Sequence, residues 1–180
     1  AEPDAWTAAK TQVGYFASQE AAPRAFAAAL LAPEAPGSCF GTAARQSTRW
    51  NMLGAVLANR KNFDHAMMAY DQALARQPQY PRALVNRSLS QSQGGDKLGA
   101  VASCVEALGL LPAWAAQDVW AVLQQAAEDQ AASEDLAEAA KAKNLVGLQV
   151  ALRASGHYPF APKAEVEPAS AVLERMGLAS

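Results

Sequence analysis

Trp50-Asn51-Met52-Leu53-Gly54-Ala55-Val56-Leu57, followed by Ala66-Met67-Met68-Ala69-Tyr70-Asp71-Gln72-Ala73 and then by Pro78, is the stretch on which the reading of this chain turns. Trp50, Leu53 and Leu57 recur at steps of three and four, which gathers them on one stripe of an α-helix. Gly54 leaves room beside that stripe for a second helix to approach closely. Ala66, Tyr70, Ala73 and Leu74 make a second stripe of the same period. Between them Arg60-Lys61-Asn62-Phe63-Asp64 is polar around one aromatic, Asp64 reads as the N-cap of the second helix, and Pro78 stops it. A hairpin this small cannot bury its stripes alone, so a neighbouring hairpin must supply the rest of the core.

Advancing by 34 residues maps Ala66 onto Ala100, Ala73 onto Ala107 and Pro78 onto Pro112, with Cys104 in the place of Tyr70. The anchors Trp-x-x-Leu-Gly-x-x-Leu, Ala-x-x-x-Tyr-x-x-Ala and Pro, together with this period, resemble the tetratricopeptide repeat, a helix–turn–helix unit of about 34 residues. The resemblance implies an all-α solenoid of helical hairpins, with two consecutive repeats over 47–114 and C-terminal capping helices. It also implies that Trp50, Leu53, Leu57, Ala66, Tyr70, Ala73, Leu84, Ala100, Cys104 and Ala107 are buried.

Working outward, residues 1–36 read as a cryptic hairpin of the same kind. Trp6 and Val13 stand at the Trp50 and Leu57 positions, and Ala22, Phe26 and Ala29 at those of Ala66, Tyr70 and Ala73. Residues 37–46 are rich in small and turn-forming types and read as a loop. Residues 115–157 read as a degenerate repeat with capping helices: one helix over 115–129 carrying Val119, Trp120 and Leu123, then a helix from an N-cap at Ser133 to Ala154, bent near Asn144 and stopped by Gly156. The tail, 158–180, is extended by its prolines and ends in a short helix from Pro168 to Met176 with Val172, Leu173 and Met176 on one side.

Composition excludes several function classes. A net charge of -2 and the lack of any Lys/Arg cluster argue against a nucleic-acid surface. No run of about 18 apolar residues occurs, so no transmembrane helix is expected. His65 and His157 have no Cys, Asp or Glu at ligand or triad spacing, and Gly94-Gly95 sits in a polar turn rather than a phosphate loop. No enzyme, cofactor, metal or small-molecule substrate is therefore expected. The start at Ala1-Glu2-Pro3 resembles the end left by a signal peptidase, which places the protein in a periplasm; a chain merely trimmed at Ala1 would be cytoplasmic. In an exported protein a disulfide between Cys39 and Cys104 is open to it.

The function expected is a protein-interaction module: a periplasmic scaffold, assembly factor or accessory subunit of a larger cell-envelope complex, with a protein or peptide partner. Carried over from the family, the first helices of successive repeats line a groove, and the partner-binding set is Asn51, Arg82, Asn86, Leu89, Trp120 and Leu123. The family's clamp for a C-terminal carboxylate is not reproduced. The tail from Tyr158 to Met176 competes for the same groove. An alternative function comes from Leu148-Gln149-x-x-Leu152-x-x-x-Gly156-x-Tyr158, which resembles the start of a peptidoglycan-binding helical module. Register is testable at once: Ala100→Leu should lower stability by roughly 1–3 kcal/mol through overpacking where two helices cross, read in a thermal melt.

Overall fold

The computed structural model describes residues 21–32, 42–129, 134–157 and 164–179. Its α-helices run, in chain order, α1 Ala21–Leu31, α2 Thr42–Asn59, α3 Phe63–Arg76, α4 Pro81–Gly94, α5 Lys97–Leu108, α6 Gln117–Asp129, α7 Glu134–Lys141, α8 Leu145–Ala154 and α9 Ala169–Arg175, with a 3-10 turn at Ala113–Ala115. No strand occurs among the described residues, which are all-α, and α1–α2, α2–α3, α4–α5 and the successive pairs from α5 to α8 pack as hairpins. Two compact units result: residues 1–78 with 164–180, and residues 79–163.

In the first unit α2 packs on α3, and the expected stripes form the interface. Trp50, Leu53, Ala66 and Ala73 are wholly buried, and Leu57 and Tyr70 nearly so. A Cβ added at Gly54 would fall 2.5–2.9 Å from the Tyr70 ring, so the ring lies directly on bare backbone. Ser47 Oγ donates to the Ala73 carbonyl at 2.8 Å inside the same interface. Helix α2 begins at Thr42, so the last part of the expected 37–46 loop is helical. Helix α1 also packs on α2, with Phe26 and Ala29 buried; Trp6 and Val13 lie outside the described residues. Helix α9 returns to pack on α1 and buries Val172, Leu173 and Met176.

In the second unit α4 packs on α5, α5 on α6, α6 on α7 and α7 on α8, with α8 also meeting α5. Leu84, Ala100, Cys104 and Ala107 are buried as expected. One period after Gly54 and Tyr70 stand Ser88 and Cys104, both wholly buried and near enough for the Ser88 side chain to act on the Cys104 thiol. A large ring over a bare backbone has been exchanged for two side chains of middling size at the same helix crossing. Packed interiors tolerate such swaps better than a change on one side alone.

The turns repeat as well. Lys61, Gly95 and Lys143 hold φ of 61, 95 and 51°, a left-handed conformation that reverses the chain. Each is followed by an N-cap whose side chain accepts from the backbone N–H three residues on: Asn62 from His65, Asp96 from Gly99 and Asn144 from Gly147. The cap of α3 is therefore Asn62 and not Asp64. Because the chain reverses at Lys61, the helix starts at Phe63 and Asp64 sits in its first turn, where a carboxylate still favours the helix N-terminus. The same device at Lys143-Asn144 splits the expected 133–154 helix into α7 and α8; Ser133 lies outside the described residues. Similarly, the helix expected over 115–129 begins with the separate 3-10 turn at Ala113–Ala115. Leu148 and Leu152 are wholly buried in α8, so core packing accounts for the spacing that resembled a peptidoglycan-binding module; Tyr158 is outside the described residues.

Substituting Gly54→Ser should cost roughly 1–3 kcal/mol by driving the new side chain into the Tyr70 ring. Adding Tyr70→Cys recreates the pair used by the second unit, so the double variant should lose less than the sum of the singles by more than about 0.5 kcal/mol. Additive urea-melt values would show that the two positions do not share a contact.

Candidate functional site

The second unit presents three of the six expected binding residues on one face of α4. Arg82, Asn86, Leu89 and Gln93 follow one another at helical steps along α4, with Arg82 and Gln93 exposed, Leu89 38% exposed and Asn86 half-buried. The opposite stripe, Ala83, Leu84, Ser88 and Gln91, is buried, which fixes the rotation of the helix. A polar chain pins its far end: Ser103 Oγ donates to Gln91 Oε1 at 2.6 Å, and Gln91 Nε2 donates to Asp96 Oδ2 at 3.0 Å. Asp96 Oδ1 in turn accepts from the Gly99 N–H that it caps. Lys97 adds an ion pair to Asp129 at 2.9 Å, tying the start of α5 to the end of α6.

Helix α6 packs on α4 and brings Trp120, half-buried, into the same unit. Leu123 does not join it as a contact residue. With Val119, Ala126 and Ala127 it forms the core stripe of α6 and is wholly buried. Asn51, in the first unit, is 3% exposed and engaged within the protein. Of the set, Arg82 and Leu89 are thus exposed and Asn86 and Trp120 half-buried. Family position alone placed Asn51 and Leu123 on the surface, whereas the rotation of each helix about its own core stripe buries them.

The described part of the tail takes a course that no local pattern indicated. Residues 164–168 run extended along α3, where Gln72 Nε2 donates to the Glu165 carbonyl at 3.2 Å and Gln72 Oε1 accepts the Glu167 N–H at 3.1 Å. Arg76 donates through Nη2 to the Glu167 carbonyl at 2.7 Å and through Nε to Gln46 Oε1 at 3.1 Å, and its guanidinium lies 5.5 Å from the centre of the Trp50 ring. Glu167 then forms a two-pronged ion pair with Arg175 of α9, one prong at 2.9 Å. The tail residues expected in the groove are therefore held, over 164–176, by α3 and α1; residues 158–163 lie outside the described residues. Gln72 is buried on a helix whose apolar stripe is complete without it, and its partner stands more than ninety residues away, so nothing in the local sequence marked it.

Burial pushes the Cys104 thiol up to about 11, which keeps it protonated and unreactive at neutral pH. Cys104 is a free thiol; Cys39, named as its disulfide partner, lies outside the described residues. His65 is half-buried and is engaged by Asn62 at 3.0 Å. Among the described residues no group of His, Cys, Asp or Glu could hold a metal ion, and no helix is long and apolar enough to cross a membrane.

No family model matches this chain, and no solved structure matches it. Among curated proteins it is similar to the peroxisomal targeting signal receptor of Kluyveromyces lactis, 37% identical over 76 residues that make up 40% of this chain and 13% of the receptor. The chain thus corresponds to a small part of that relative's length.

The arginine contacts hold the Glu167 carboxyl below the ordinary carboxylate range, chiefly through the hydrogen bond from Arg175. A carboxyl depressed by folding contributes stability that is present above its unfolded pKa and lost as pH falls through the folded one. Glu167→Gln should therefore lower the urea midpoint more at about pH 7 than at about pH 3, because the stabilisation fades as pH falls through the folded-state pKa. An equal effect at both pH values would assign the contact to packing alone.

Proposed function

We propose that this chain is a non-catalytic protein-interaction module of the tetratricopeptide type, which holds a peptide or protein partner on the α4–α6 face of its second unit. The observation that carries this reading is the 37% identity over 76 residues to a protein named as a receptor for a targeting signal. Only the holding of a peptide or protein is carried over from it. The repeated hairpin supports the reading: helix contact and left-handed turn both recur one period on, as Gly54–Tyr70 and Ser88–Cys104, and as Lys61-Asn62 and Gly95-Asp96.

On that face Arg82 offers a guanidinium, Leu89 and Trp120 offer apolar area, and Asn86 can fix orientation. Trp and Arg are the residue types that most often dominate interface energy, and a partner needs few such anchors. A scaffold or accessory subunit works in this way, by holding one component of a larger complex. Arg82→Ala and Trp120→Ala, with helicity verified by circular dichroism, should each reduce the amount of native partner recovered with the tagged protein by about tenfold, the loss expected of a principal anchor. Recovery at wild-type levels from both variants would show that the partner binds elsewhere.

A further inference from the structure

The first unit carries a cleft of about 700 Å³ that the proposed partner face does not use. It opens where the start of α1, the turn between α2 and α3, and the chain after α9 meet. Its lining includes Arg24, Arg60 and His65 as cationic or donor groups, and Pro23, Leu57 and Met176 as apolar ones. The apolar residues are buried, so they form a fixed floor. The two arginines are exposed and form no ion pair among the described residues. Among the described residues the lining contains no carboxylate, so both guanidiniums stand at the rim without an anionic neighbour in that set.

Asn62, also in the lining, is locked by its role as the cap of α3. Its Oδ1 accepts from the His65 backbone N–H, which makes the other amide atom the nitrogen. That nitrogen stands 3.0 Å from His65 Nδ1 and can only donate to it. In the neutral ring the proton is then on Nε2, so His65 offers a further donor. A cleft with an apolar floor, two exposed guanidiniums and an imidazole donor suits a ligand that is apolar at one point and anionic around it.

We infer that this cleft binds an acidic peptide segment in which carboxylates flank an apolar side chain: Arg24 and Arg60 pair with the carboxylates, and Leu57 and Met176 receive the apolar group. Its volume is that of a pocket for a small ligand, enough for a few residues. The site belongs to the turn side of the first unit and is independent of Arg82 and Trp120.

Fluorescence anisotropy tests this on the full chain with a labelled Glu-Leu-Glu-Leu-Glu peptide. The probe should bind at least about tenfold more tightly than its Gln-Leu-Gln-Leu-Gln counterpart, and the Arg24→Ala/Arg60→Ala variant should lose about the same factor, since each charge-assisted pair removed is worth that much or more. Both arginines are exposed, so the variant should keep its thermal midpoint. The Arg82→Ala and Trp120→Ala variants should bind the probe as the wild type does, which separates this site from the partner face. Equal affinity for the Glu and Gln peptides, or unchanged binding by the double arginine variant, would overturn the proposal. Displacement by inorganic phosphate as readily as by unlabelled Glu peptide would also overturn it, by showing an unspecific anion site.

Discussion

The close approach of α2 and α3, with the Tyr70 ring resting on Gly54, is the contact from which the rest of the first unit follows. Once the ring is seated, the stripes of Trp50, Leu53 and Leu57 and of Ala66 and Ala73 meet without a gap. Ser47 can then reach the Ala73 carbonyl, and Arg76 can lie over Trp50 while it holds the tail. The alanines matter for the same reason: where backbones approach this closely, a larger side chain has no void to enter. In the second unit Ser88 and Cys104 solve the same steric problem by sharing the space.

Polar groups then do what apolar stripes cannot. A stripe fixes the rotation of a helix but says little about where the chain reverses or where a distant segment lands. The reversals are set by a left-handed residue followed by an Asn or Asp cap, at Lys61-Asn62, Gly95-Asp96 and Lys143-Asn144. The landing of the tail is set by Gln72 and Arg76, which satisfy backbone groups of Glu165 and Glu167 that would otherwise need water. This division leaves surface charge free for recognition. Arg82 on α4, and Arg24 with Arg60 beside the first-unit cleft, are exposed because no part of the core needs them.

The similarity to a targeting-signal receptor covers well under half of this chain and a small part of the receptor, so it bears on the kind of work done rather than on the ligand. The described surfaces are built mainly from helices. They offer cationic, amide and apolar groups on rigid helices, with the thiol of Cys104 held protonated in the core.

By itself the sequence determined the helical class and the buried set from Trp50 to Ala107, because periodicity, small residues and proline stops are local signals that one helix turn can express. Arg82 and Leu89, which it named for a partner, are exposed in the structure. Only the tertiary structure decided that Asn62 caps α3, that α7 and α8 are separate helices, that Leu123 and Asn51 are buried, and that the tail is fastened to α3. Each of these depends on a left-handed turn, on the rotation of a helix about its core, or on a hydrogen bond between residues far apart in the chain. Spacing along one helix carries no trace of a partner that folding brings from some ninety residues away.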